Sequence, residues 1–177
     1  MKDTSILNGK RILIVDDEAD VLDTLLELLP TCNVTRATTF QHAKELLETR
    51  DYDLAILDVM GVDGYELLKI ANERKIQAII LTAHAFSPEN TIRSYKKGAA
   101  FFVPKENLVN ITDFMGYVFS AKEKGENSWS TWLESFEPIY DAKFGPAWKA
   151  GDSEFWEALA KREWRLASTL KDTEALV

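Results

Sequence analysis

The amino-acid sequence predicts an α/β fold, a doubly wound five-stranded parallel sheet, with a C-terminal α-helical extension. Three observations carry this reading. Short aliphatic runs alternate five times with amphipathic helical patterns, the mark of successive strand–helix units. Three of those runs, RILIV, DLAIL and QAIIL, are almost unbroken aliphatics, as strands covered on both faces must be. Finally, all five tryptophans lie beyond residue 128, so the chain changes character there.

The strands read in order are Arg11–Val15, Asn33–Ala37, Asp53–Leu57, Gln77–Leu81 and Phe101–Val103. The second is the most polar and suits a sheet edge. Between the first two, Ala19–Leu29 places Val21, Leu22, Leu25, Leu26 and Leu29 at helical spacing, and Pro30 stops it. Thr39–Thr49 carries Ala43, Leu46 and Leu47 on one side, with His42 on its polar flank as a solvated residue. Tyr65–Glu73 follows Asp63-Gly64. The fourth helix opens with Ser87 as N-cap and Pro88 at its first position, and Gly98 ends it. A fifth runs from about Asn107 to Lys122. Right-handed crossovers distribute these helices over both faces of the sheet.

The 177 residues suffice for one well-cored domain and an extension. A net charge of −8 opposes binding to nucleic acid or to an anionic membrane. Cys32 is the only cysteine, so no internal disulfide forms; a small side chain in a reducing compartment is expected. Residues 1–10 hold no apolar run of signal-peptide length, and no stretch approaches the ~20 apolar residues of a spanning helix. The expectation is a soluble, cytoplasmic protein.

In a doubly wound sheet, chemistry lies beyond the carboxyl ends of the strands. There the sequence supplies Asp16 and Asp17 after strand one, Asp58 after strand three, Thr82 after strand four, and Lys105 after strand five and Pro104. Clustered carboxylates repel at neutral pH and call for a cation. Mg²⁺, a hard ion that takes oxygen ligands alongside phosphate oxygens, suits them. Lys105 offers a point charge, and Thr82 a hydroxyl that can follow a phosphoryl group. A carboxylate is already ionised at neutral pH, so phosphoryl transfer to Asp58 needs no general base.

Over about residues 8–124 the chain resembles the receiver domains of two-component response regulators, through ILIVDDEAD, LAILDVMGVDGYELL, ILTAHA and KKGAAFFVPKE. The resemblance implies a flavodoxin-like (βα)5 fold and a signalling protein that is not an enzyme beyond its own phosphorylation and dephosphorylation. It further implies that Asp58 is the phosphoacceptor for a histidine kinase or phosphotransfer protein. Asp16, Asp17, Asp58 and the Met60 carbonyl then hold Mg²⁺. Lys105 is the ammonium, and Thr82 and Phe102 are the switch pair. Met60 and His84 flank the water that ends the phosphorylated state, and an apolar Met60 predicts slow decay. Two departures stand out: the loop after Asp58 is two residues shorter than usual and lacks its proline, and Lys105 follows a proline instead of preceding one.

Residues 125–177 form a second unit after the charged linker KEKGENS. Trp129, Trp132, Leu133, Phe136, Tyr140 and Phe144 make an aromatic stripe, interrupted at Pro138 and closed by Gly145-Pro146. A second helix from Asp152 or Ser153 carries Phe155, Trp156, Leu159, Leu166 and Leu170. Such a hairpin cannot bury its own aromatics. It must pack on the first unit, on a second copy in a dimer, or on an output partner. DNA binding is the main rival output, but the unit holds six Lys and Arg against ten Asp and Glu. A recognition helix needs the opposite balance. A scaffold that is never phosphorylated is the third alternative.

Overall fold

Aliphatic runs buried on both faces assemble as the sequence predicts in the computed structural model, which describes residues 4–83 and 86–170. The strands β1 (Arg11–Val15), β2 (Asn33–Ala37), β3 (Leu54–Asp58), β4 (Gln77–Thr82) and β5 (Phe101–Pro104) form one parallel sheet in the order β2-β1-β3-β4-β5. The polar β2 is indeed an edge. Strand order reverses between β1 and β3, which opens a crevice at their carboxyl ends. The register brings Val15 beside Leu57, Asp58 beside Leu81 and Thr82 beside Pro104. Strand β3 starts one residue later than expected because Asp53 turns aside: its carboxylate accepts the Arg11 amide at 2.8 Å and pairs with the Arg11 guanidinium at 3.3 Å.

Helices α1 (Ala19–Leu28), α2 (Phe40–Thr49), α3 (Gly64–Glu73), α4 (Pro88–Lys96) and α5 (Ile111–Lys124) flank the sheet. Capping fixes their starts. Thr39 Oγ1 accepts the His42 amide at 3.2 Å and Ser87 Oγ accepts the Asn90 amide at 3.1 Å, each satisfying a donor left over in a first turn. The His42 side chain is exposed, and Cys32 is half-buried. The fifth helix opens at Ile111, later than expected, because Lys105–Asn110 takes the tighter 3₁₀ form.

The C-terminal unit comprises α6 (Trp129–Phe144), α7 (Ser153–Ala160) and α8 (Trp164–Thr169). Pro138 does not end α6: Phe136 and Tyr140, on either side of it, are wholly buried and hold the helix across the missing amide. The second helix, in contrast, divides. Arg162 adopts a left-handed φ of 59°, its amide reaches the Leu159 carbonyl at 3.1 Å, and the Glu163 amide reaches that of Ala158 at 2.9 Å. This is a Schellman termination built on an arginine. Beyond it Ala167 is buried, whereas Leu166 is exposed.

The sheet aliphatics and the extension aromatics belong to one contiguous buried cluster. The extension lies against α4, β5 and α5, the first of its three expected packing solutions. Indole nitrogens of Trp129 and Trp132 donate to the Ala99 and Phe102 carbonyls, each at 2.8 Å, and Ser128 Oγ donates to the Ala100 carbonyl at 2.6 Å. Phe136 packs on Phe101 and Phe114, with ring centroids 6.0 and 5.3 Å apart. Tyr95 donates to the Trp164 carbonyl at 3.0 Å, and Lys96 donates to that of Leu170.

Candidate functional site

Each functional side chain is delivered by a strand end. Asp16 and Asp17 follow β1, Asp58 and Thr82 close β3 and β4, and Lys105 follows β5. Because the strands are parallel and in register, these ends share one rim of the sheet. Asp16, Asp58 and Thr82 are buried polar groups on that rim, 0, 3 and 0 % exposed.

Lys105 joins the strand ends. Its Nζ lies 2.8 Å from Asp16 Oδ2, 3.1 Å from Glu18 Oε1 and 3.4 Å from Asp58 Oδ1. Burial alone would lower the lysine pKa. Its close pairing with the carboxylates of Asp16 and Glu18, with the charges of Asp16 and Asp58, outweighs burial and raises it, so the ammonium is fixed. Asp16 is pushed up, first by burial and further by the Asp58 charge, against the opposing pull of Lys105 and the Glu18 amide. That amide donates to Asp16 Oδ1 at 2.9 Å. The Gly61 amide donates to Asp58 Oδ2 at 3.0 Å, so the two oxygens of Asp58 are distinguished: one faces the ammonium, the other a backbone N–H.

Carboxylate oxygens of Asp16, Asp17 and Glu18 lie within 4.8 Å of one another. Asp16 Oδ2 is buried without an aligned hydrogen bond. A compact, oxygen-only donor set with a surplus of negative charge fits a hard divalent ion such as Mg²⁺. Glu18 enters this group unforeseen. It could have been suspected from its place directly after the acidic pair, but only the fold shows that Lys105 reaches it.

Of the other expected positions, Met60 is 64 % exposed on the loop after β3. His84 lies outside the described residues. Phe102 is fully buried, its ring stacked 6.5 Å from Phe86, which in turn packs edge-on to Tyr140 at 5.1 Å and against Phe144 at 5.3 Å. The Phe102 carbonyl carries the Trp132 indole. The Phe102 ring is therefore already inside, against Phe86, while its carbonyl is tied to the extension.

A 2-1-3-4-5 parallel sheet whose rim holds two buried carboxylates bridged by a lysine defines the receiver class of α/β domains. Comparison with known proteins agrees. Residues 12–113 match the response regulator receiver domain, and the chain belongs to that family. It is 36% identical over 114 residues to the two-component response regulator ARR10 of Arabidopsis thaliana, covering 58% of this chain and 20% of that protein. It is 32% identical over 112 residues to the transcriptional regulatory protein TdiR of Thauera aromatica, covering 59% and 48%. The chain therefore spans under half the length of these relatives. Among solved structures, a CheY-like receiver domain protein of Methanospirillum hungatei JF-1 superposes with a TM-score of 0.60 at 30% identity, over 67% of this chain and 99% of that one.

Proposed function

We propose that the protein is a phosphorylation-controlled interaction module, with a receiver unit at residues 1–124 and a responding helical unit at 125–177. An oxygen of Asp58 attacks the phosphorus of a phosphohistidine on a kinase or phosphotransfer protein. A new P–O bond forms as the bond to the donor breaks, and the donor atom departs with its electron pair. Bound at Asp16, Asp17, Asp58 and the Met60 carbonyl, Mg²⁺ supplies charge neutralisation for the transferring group. Lys105 supplies the second positive charge, and Thr82 offers a hydroxyl to the phosphoryl oxygens. The observation that carries this reading is the lysine bridging Asp16 and Asp58 on the sheet rim.

Output then runs through the extension. Movement of Thr82 toward the phosphoryl group shifts Phe102 on the adjacent strand, whose ring and carbonyl both adjoin the C-terminal unit through Phe86 and Trp132. Phosphorylation therefore alters the fit between β5 and α6, and with it the affinity of this face for its own extension or for another protein. The negative balance of residues 125–177 speaks against DNA as that partner. Met60 hinders an attacking water, with His84 as the other flanking side chain, so the phosphorylated state decays slowly.

Incubation with a small acyl phosphate and Mg²⁺ tests the scheme. One phosphoryl mass is expected on the wild type and none on Asp58→Asn; absence of any adduct leaves only a receiver-shaped scaffold. Because every tryptophan lies in the extension, tryptophan emission reports on output. A shift on phosphorylation is expected, and an unchanged spectrum overturns the coupling. A phosphorylated half-life of seconds overturns the proposed role of Met60.

A further inference from the structure

The loop from Val59 to Asp63 contains a glycine whose necessity is spatial. Gly61 has no positive φ, so its backbone is open to any residue. Yet a Cβ built on it would lie 2.2 Å from Asp17 Oδ1, 2.4 Å from Cγ and 2.6 Å from Oδ2. No pair of heavy atoms tolerates that approach. The same residue donates its amide to Asp58 Oδ2. Gly61 thus sits between two carboxylates, gripping one and leaving room for the other.

The atoms that a Cβ would strike decide what a substitution does. At Gly64 they are backbone, with the Asp58 carbonyl oxygen at 2.1 Å and Val59 Cα at 2.9 Å, so a side chain there would force the chain apart. At Gly61 they are all side-chain atoms of Asp17, which is exposed and can rotate into solvent. An added methyl would leave the fold intact and move only the carboxylate.

The geometry points to Gly61 as a positioning residue of the cation site, one whose missing side chain leaves Asp17 room to lie with its carboxylate beside those of Asp16 and Glu18. This inference rests on the Mg²⁺ site proposed above. Mg²⁺ holds its ligands at about 2.0–2.1 Å in near-octahedral geometry. A carboxylate displaced by more than a bond length is lost to it, and disturbing the support of a ligand costs roughly 10–100-fold in metal affinity.

The test is calorimetric titration of the full chain with Mg²⁺, wild type against Gly61→Ala, with the unfolding midpoint of each measured without metal. Magnesium affinity at least about tenfold weaker in Gly61→Ala, with the midpoint preserved, is expected. Affinity equal to wild type overturns the inference while leaving the cation site standing. Loss of folding in Gly61→Ala also overturns it, since the methyl would then not be relieved by rotation of Asp17. No uptake by the wild type removes the cation site itself, and this role with it.

Discussion

The strand-end rim and the seam between β5 and α6 are made of opposite materials. At the rim, Asp16 and Asp58 are buried and share one lysine, so the site holds more negative charge than it neutralises. The seam buries Trp132, Phe136 and Tyr140 with no exposure, and both Trp132 and Tyr140 find hydrogen-bond partners. Buried like charge is a source of strain that a phosphoryl group or cation can redistribute. Buried aromatic area is a source of stability, roughly 1.5–3 kcal/mol for each large side chain. Under the proposed function the rim responds and the seam holds, with the Phe102 carbonyl tied to the seam through Trp132.

If the division is real, damage on each side should have a distinct signature. The largest effect is expected at Asp58. Asp58→Asn removes all phosphoryl uptake, read by intact mass after acyl phosphate treatment, with no loss of unfolding free energy, because a buried negative charge has gone. A marked loss of stability would mean that the rim also holds the fold. Next in size is Trp132→Ala, which empties the centre of the seam and should cost about 3–5 kcal/mol in denaturant unfolding. Phosphoryl uptake under native conditions should persist.

A finer cut is available at the polar pair inside the seam. Thr91 Oγ1 donates its only hydrogen to the Ser87 carbonyl at 2.7 Å, so it accepts from the Tyr140 hydroxyl at 2.5 Å. Thr91→Val strands that donor in a buried site at a cost of about 1–3 kcal/mol, again by denaturant unfolding. The smallest effect is one of pH. Burial raises the Tyr140 phenol above the ~10 of a free tyrosine. A folded-state pKa above the unfolded one gives stability that is whole below about pH 10 and falls as pH climbs past it, by at most about 1.4 kcal/mol per pH unit. Unfolding midpoints followed by tryptophan emission should decline above about pH 10 in the wild type, and less steeply in Tyr140→Phe.

The two regions also differ in how far the sequence discloses them. Five strand–helix units, the polar edge at β2, the cap at Ser87, and the gathering of Asp16, Asp58 and Lys105 were all legible, because strand ends in a parallel sheet must converge. The seam was legible only as an aromatic stripe in search of a surface. That Trp132 would dock on the Phe102 carbonyl depends on tertiary geometry, which no periodicity encodes. The break before α8 was hidden for a related reason: arginine is an unusual residue for a left-handed helix end, and nothing in Lys161–Glu163 resembles a glycine stop. Glu18 and Gly61 went unseen because their importance lies in what stands opposite them, a lysine 87 positions away and a carboxylate from another strand end.

The single core shared by sheet and extension has a corollary for modularity. Receiver units joined to their outputs by loose tethers are portable and can be recombined with new effectors at little structural cost. Here Phe101, Phe114 and Tyr95 are finished by rings from α6 and α7, so shuffling would expose a greasy scar on one fragment and an orphaned helix bundle on the other. Neither unit, cut from the other, would keep a finished core.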